Sequence, residues 1–196
     1  MPTSPAAEEG TRAHDWGAGV LDGQHALEDV PGEYRAGVQI YTDYVQTNYE
    51  NIIVERYWES WTIDGFAGTA DCVAVEDDKV AVVDFKYGKW PVDAKQNSQL
   101  LCYAALVSEH FPASEFEAVI VQPNSWKDAK VSKDVFSIAQ VEDHKRKVQA
   151  AATSDVKVTG EHCLWCPLLK LSKCAEGKRH AQCKGWTQKY KHLKNV

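Results

Sequence analysis

The chain has 196 residues, 44% of them hydrophobic and 26% charged, with a formal net charge of −6. That composition suits one globular domain with a core of its own, and no apolar run approaches the roughly 18 residues of a membrane helix. The opening MPTSPAAEEG has neither the basic start nor the apolar stretch of a secretion signal, so the expectation is a cytoplasmic protein with no membrane partner.

Charge is unevenly spread. From Lys170 onward there are eight Lys and Arg against one acid, Glu176, leaving 14 bases and 27 acids before it. An acidic body with a basic tail points to a polyanion partner, and a solvated tail that aids solubility reads the same way.

Along the chain, residues 9–22 have Ala13, Trp16, Val20 and Leu21 at helical spacing. Pro31 opens a second helix, in which Tyr34, Val38, Tyr41 and Val45 recur at steps of three and four. The period then changes. Ile52–Trp58 is β-branched and aromatic, as a strand should be, and Phe66–Val75 and Val80–Tyr87 follow as two more strands. The polar run from Glu76 to Lys79 turns them into an antiparallel hairpin.

Helical spacing returns over 93–110, and Phe116–Gln122 reads as a buried strand ended by Pro123 and Asn124. A last helix covers about 138–152. The order α, α, β, β, β, α, β, α predicts an α/β or α+β fold, a mixed central sheet flanked by helices. The expected core spans 1–155, and 156–196 forms a cysteine-rich segment and basic tail within the same domain.

The third strand places Asp84 and Lys86 two apart at the end of an apolar run, hence on one face of the sheet. A cross-face ion pair is the plain explanation, because a buried charge needs a partner. Asp71 adds a second carboxylate on the hairpin partner, about as far from the turn as Asp84. Two carboxylates with the main-chain carbonyl of Phe85 make an oxygen-rich site suited to Mg²⁺ or Mn²⁺. A divalent ion would also relieve the repulsion between the acids. Such a set could hydrolyse a phosphodiester, with Lys86 orienting the attacking water or neutralising developing charge.

Asp71…Asp84-Phe85-Lys86 resembles the signature of the PD-(D/E)xK nucleases, and more narrowly their RecB-like exonuclease branch. Three further pieces match in order: Gly10-Thr11-Arg12-Ala13-His14, Gly68-Thr69-Ala70-Asp71, and Gln99-Leu100-Leu101-Cys102-Tyr103. Ala70 stands where the proline of the family name would be. The resemblance implies a restriction-endonuclease-like core, His14 as a further metal ligand, and Gln99 and Tyr103 either binding the scissile phosphate region or steadying Lys86. It also implies a phage or mobile-element DNA exonuclease working in recombination or DNA processing. Linear DNA ends would be its substrate, with recombination or single-strand-binding proteins as partners and ring-forming homo-oligomers among its relatives. An endonuclease of the same fold and a non-catalytic DNA-binding module are the competing readings. Glu55, on the strand before the motif, resembles an acid often found there, and a surface glutamate reads equally well.

Of six cysteines, Cys163, Cys166, Cys174 and Cys183 crowd near the C-terminus beside His162 and His180. A Cys-x-x-Cys in an intracellular chain favours metal over disulfides. The set suits structural Zn²⁺ or a [4Fe–4S] cluster, and a metal-free segment is the third reading. The RecB-like branch carries three such C-terminal cysteines with a fourth near the N-terminus; here no cysteine precedes Cys72.

Overall fold

The computed structural model describes residues 4–154, of which those up to Ala152 form one compact unit. The expected metal-binding cysteines and the basic tail lie outside the described residues. In chain order the elements are α1 (Pro5–Leu21), a 3-10 turn (Leu27–Asp29), α2 (Gly32–Asn48), β1 (Ile52–Glu59), β2 (Ala67–Glu76) and β3 (Lys79–Phe85). Then come α3 (Ser98–Val107), β4 (Glu115–Val121), β5 (Val131–Ser137) and α4 (Ile138–Ala152). Among the described residues no helix is long and apolar enough to cross a membrane.

Among the described residues the fold is α+β, one mixed sheet whose five strands lie in the order β1-β2-β3-β4-β5. Every pairing is antiparallel except β3 with β4, which α3 connects as a crossover. On one face α1 and α2 place Ala13, Val38, Tyr41 and Val45 against Cys72, Val83, Phe85 and Val119. On the other, α3 and α4 place Leu100, Ala104, Val107 and Val141 against Val73, Val82, Phe116, Ile120 and Phe136. β3 and β4 are buried on both sides, which explains their unbroken apolar runs.

Local signals set the element boundaries. The Ser4 hydroxyl caps α1 by accepting from the Ala7 N–H, with Pro5 at the first helical position. The hairpin turn forms where expected, with Asp77 at φ 45°, a left-handed conformation that aspartate tolerates.

Two expectations need correction. Helix α3 begins at Ser98 rather than 93, because the Asn97 side chain accepts from the N–H groups of Gln99 and Leu100 and caps it there. The preceding segment is held open by β5: Ser132 Oγ accepts from Ala94 N–H, and Asp134 accepts from Gln96 N–H at 2.8 Å. Strand β5 itself was not expected. It is an edge strand carrying Lys133 and Asp134, and of its residues only Phe136 is fully buried.

Phe85 is 0% exposed and stacks on Tyr41 with ring centroids 4.4 Å apart. Phe85→Ala should therefore cost about 3–5 kcal/mol in urea unfolding, whereas Tyr57→Ala, on the exposed side of β1, should stay within about 0.5 kcal/mol.

Candidate metal centre

The β2–β3 ladder runs from Glu76↔Lys79 to Cys72↔Val83 and ends just before Asp71 and Asp84. The β1–β2 ladder is interrupted at the same level, between Val54↔Cys72 and Arg56↔Ala70. Glu55, at the interruption, has φ 44°. Side-chain facing also flips here. Strict alternation would put Ala70 and Cys72 on one face, yet Ala70 joins the α3 side and Cys72 the α1–α2 side. Asp71 sits at the flip.

Three groups converge on that gap. Asp71 Oδ2 accepts from the Phe85 N–H at 2.7 Å. Asp71 Oδ1 lies 3.4 Å from His14 Nδ1, which in turn is 3.9 Å from Glu55 Oε1. One ligand-capable atom each from His14, Glu55 and Asp71 thus lies within 4.8 Å of the others. Helix α1 delivers His14, and Phe85 steers it, with the two ring centroids 5.3 Å apart. A close approach sets the helix down: a Cβ on Gly17 would come 3.1 Å from the Tyr41 ring.

The α3 side supplies a second chain of contacts. Asp84 is 1% exposed. The Lys86 ammonium donates to Asp84 Oδ1 at 3.0 Å and lies 2.8 Å from Oδ2, which receives no directed hydrogen bond from any described residue. Lys86 also donates to Gln99 Oε1 at 3.0 Å. An ammonium has only donors, so Gln99 must turn its oxygen to Lys86 and its NH₂ to the Tyr103 hydroxyl, 3.1 Å away. The Tyr103 O–H proton is then left to donate elsewhere. Gly68 makes room for this tyrosine, since a Cβ there would meet its ring at 3.1 Å. That contact gives Gly68-Thr69-Ala70-Asp71 a physical reason to begin with glycine.

The charges strain one another. Burial, and then the charge of Asp71, push the Asp84 carboxyl from 3.8 up to about 6, although Lys86 and His14 pull the other way. Burial alone would lower the His14 pKa, but its hydrogen bond to Asp71 and the charges of Asp71, Asp84 and Glu55 raise it overall. Burial and Asp71 likewise raise Glu55. Carboxylate oxygens beside one imidazole, with a buried oxygen of Asp84 left without a directed donor, fit a hard divalent cation.

The structure thus places His14 and Asp71 in one cluster with Glu55, and Asp84, Lys86, Gln99 and Tyr103 in a second chain of contacts. Phe85 enters through its N–H, with its ring buried in the α1–α2 layer. Glu55 belongs to the same cluster, and its position on the strand beside Asp71 is the signal that finds it.

Comparison with known families bears on most of this site. A family profile described as "Protein of unknown function (DUF2800)" matches residues 23–193. The chain belongs to the DUF2800 family. The DUF2800 match takes in Glu55, Asp71, Asp84, Lys86, Gln99 and Tyr103 and begins after His14. No curated protein matches the chain. Among solved structures, one titled "Crystal structure of SSO0001" is similar at 15% identity and a TM-score of 0.39, over 84% of this chain and 71% of that one.

The strained charges predict a pH dependence. Asp84 holds its proton more tightly folded than unfolded, so its contribution to stability falls as pH rises from about 4 to about 6. His14 adds stability that is full below 6.5 and is lost as pH rises through its raised folded value. In EDTA these two groups should each lower the melting temperature as pH rises through their windows, against the opposite trend from His144, Glu109 and Asp93, whose pKa values are lowered. Asp84→Asn should flatten the lower window and stabilise the metal-free protein at neutral pH by about 1–3 kcal/mol. Mn²⁺ should reverse the slope, because it competes with those same protons.

Proposed function

We propose that this chain is a metal-dependent nuclease with a restriction-endonuclease-like core of the PD-(D/E)xK kind, acting as a DNA exonuclease in recombination or DNA processing. The observation that carries the reading is the cluster of His14, Glu55 and Asp71 at one parting of the sheet, with Asp84 on the neighbouring strand and Lys86 paired to it. Ion-pair networks of purely structural use also occur in proteins. Here, however, the acids outnumber the cations that face them, and Asp84 is buried at a cost that a divalent ion offsets.

Asp71, Asp84, His14 and Glu55 would hold Mg²⁺ or Mn²⁺, with the Phe85 carbonyl as a further donor. When bound, such an ion polarises a phosphoryl oxygen and acidifies a water. The chain's own groups supply the rest. Lys86, aimed by Asp84 and Gln99, donates to the attacking water or to the oxygen on which charge develops. Gln99 fixes the lysine in one rotamer, so little ordering is left for the reaction itself. Tyr103, its oxygen already accepting from Gln99, donates its hydroxyl proton to a non-bridging phosphate oxygen. Burial raises its pKa, which keeps that proton in place at neutral pH.

The sequence reading of structural zinc or a [4Fe–4S] cluster at Cys163, Cys166, Cys174 and Cys183 stands beside this proposal. Metal analysis and the visible spectrum of anaerobically purified protein separate the two. Zinc without colour excludes the cluster, brown protein with iron and sulfide supports it, and neither metal removes both.

The activity is tested with end-labelled linear DNA and a closed circle in Mg²⁺, Mn²⁺ or EDTA. The linear form alone should disappear, only with metal. Asp84→Ala and Lys86→Ala should each lose at least roughly 10²–10³-fold in rate. Cutting of the circle would make the enzyme an endonuclease. Folded, metal-loaded protein that cuts neither form would overturn the proposal in favour of a DNA-binding module.

A further inference from the structure

Beyond the acidic cluster, the same end of the sheet carries two indoles that the core does not use. Trp90 is 77% exposed and Trp126 is 59% exposed, with ring centroids 4.4 Å apart at 68°. Trp90 lies four residues beyond Lys86 on the loop after β3. Trp126 lies on the loop after β4. Since β3 and β4 are parallel and Phe85 is level with Val121, both loops leave the sheet at the edge where Asp84 and Lys86 stand. Ligands in open sheets favour this edge, beyond the carboxyl ends of parallel strands.

The loops are rigidly built. Gln122, 4% exposed, donates to the carbonyls of Gly88 and Trp90 at 2.7 Å each and accepts from the Val92 N–H at 2.8 Å. Asn124 donates to the Tyr87 carbonyl at 2.9 Å. The Lys130 ammonium closes the second loop by donating to the carbonyls of Ser125 and Lys127. The side-chain amide of a buried glutamine thus fixes the backbone of a loop whose largest side chain, Trp90, is exposed.

The local charge favours a polyanion. Segments 86–95 and 122–130 hold five lysines, Lys86, Lys89, Lys95, Lys127 and Lys130, against two acids, Asp93 and Asp128, in a chain whose net charge is −6. Lys89 and Lys127, each next to an indole in sequence, are exposed. Rigid aromatic faces with flanking lysines are how unpaired bases are held without regard to sequence. A duplex end offers those faces only after it frays.

We propose that Trp90 and Trp126 form a stacking platform for the unpaired bases of single-stranded DNA, delivering a strand to the adjacent acidic centre. The placement rests on the nuclease reading; the binding does not. Lys89 and Lys127 neutralise the backbone on either side, and the buried Gln122 holds the Trp90 loop by its main chain.

The test is fluorescence anisotropy of an end-labelled oligothymidylate and of a blunt duplex, with full-length protein in Ca²⁺. Trp90→Ala and Trp126→Ala should each weaken single-strand binding roughly tenfold and leave duplex binding and melting temperature unchanged. Trp90→Phe and Trp126→Phe should lose less. Unchanged single-strand affinity in the double alanine variant, or equal losses on both probes, would overturn the platform. Hydrolysis of a small chromogenic phosphodiester in Mn²⁺ separates this from the centre's own chemistry. If wild-type protein binds the oligothymidylate through the tryptophans but hydrolyses nothing, the platform stands and the nuclease reading fails.

Discussion

One hydrogen bond, from the Phe85 N–H to the Asp71 carboxylate, governs the rest of the site. Where β2 and β3 part, beyond Cys72↔Val83, the Phe85 N–H has no β2 backbone acceptor, and a buried N–H left unmade costs about 1–3 kcal/mol. A carboxylate answers it with a short, charge-assisted bond. The sheet can therefore open a gap in its middle without leaving an orphan. Asp71 is committed at one oxygen to structure, while its other oxygen faces His14.

From that point the alternation of β3 divides the labour. Phe85 turns into the α1–α2 layer and anchors the helix that carries His14. Asp84 and Lys86 turn to the opposite side, where α3 presents Gln99 and Tyr103 from positions i and i+4 of one helix face. Every side chain of the centre except Lys86, one residue past β3, is thus set by a helix or strand. The cost of this arrangement is concentrated in Asp84, a carboxyl almost sealed from water with a second acid nearby. Such a site is poorly balanced without a cation.

Much of this was legible from the chain because it rests on local rules. The turn at Glu76–Lys79 and the period of two put Asp71 and Asp84 level with each other, and the ladder ending at Cys72↔Val83 agrees. The i, i+4 spacing put Gln99 and Tyr103 together. What escaped was decided over long range. Helix α3 starts at Ser98 because Ser132 and Asp134, from a strand not yet formed when 93–97 is considered alone, bind its preceding backbone. Strand β5 lies at an edge, so too few of its residues are apolar to betray it. Glu55 read equally well as a family acid or a surface glutamate, because the left-handed backbone at that residue is announced by no pattern of side-chain types.

The order of the strands across the sheet, identical to their order along the chain, has a consequence for how the molecule comes into being. Each strand emerging from a ribosome meets its partner already present as its immediate predecessor, so loop-closure entropy stays small at each step. The exception is α1, made first, whose histidine must wait for β2 and β3 before it has anything to face. The candidate centre therefore takes its final form only after β2, β3 and α3 have been made, although one of its residues is among the earliest to leave the ribosome.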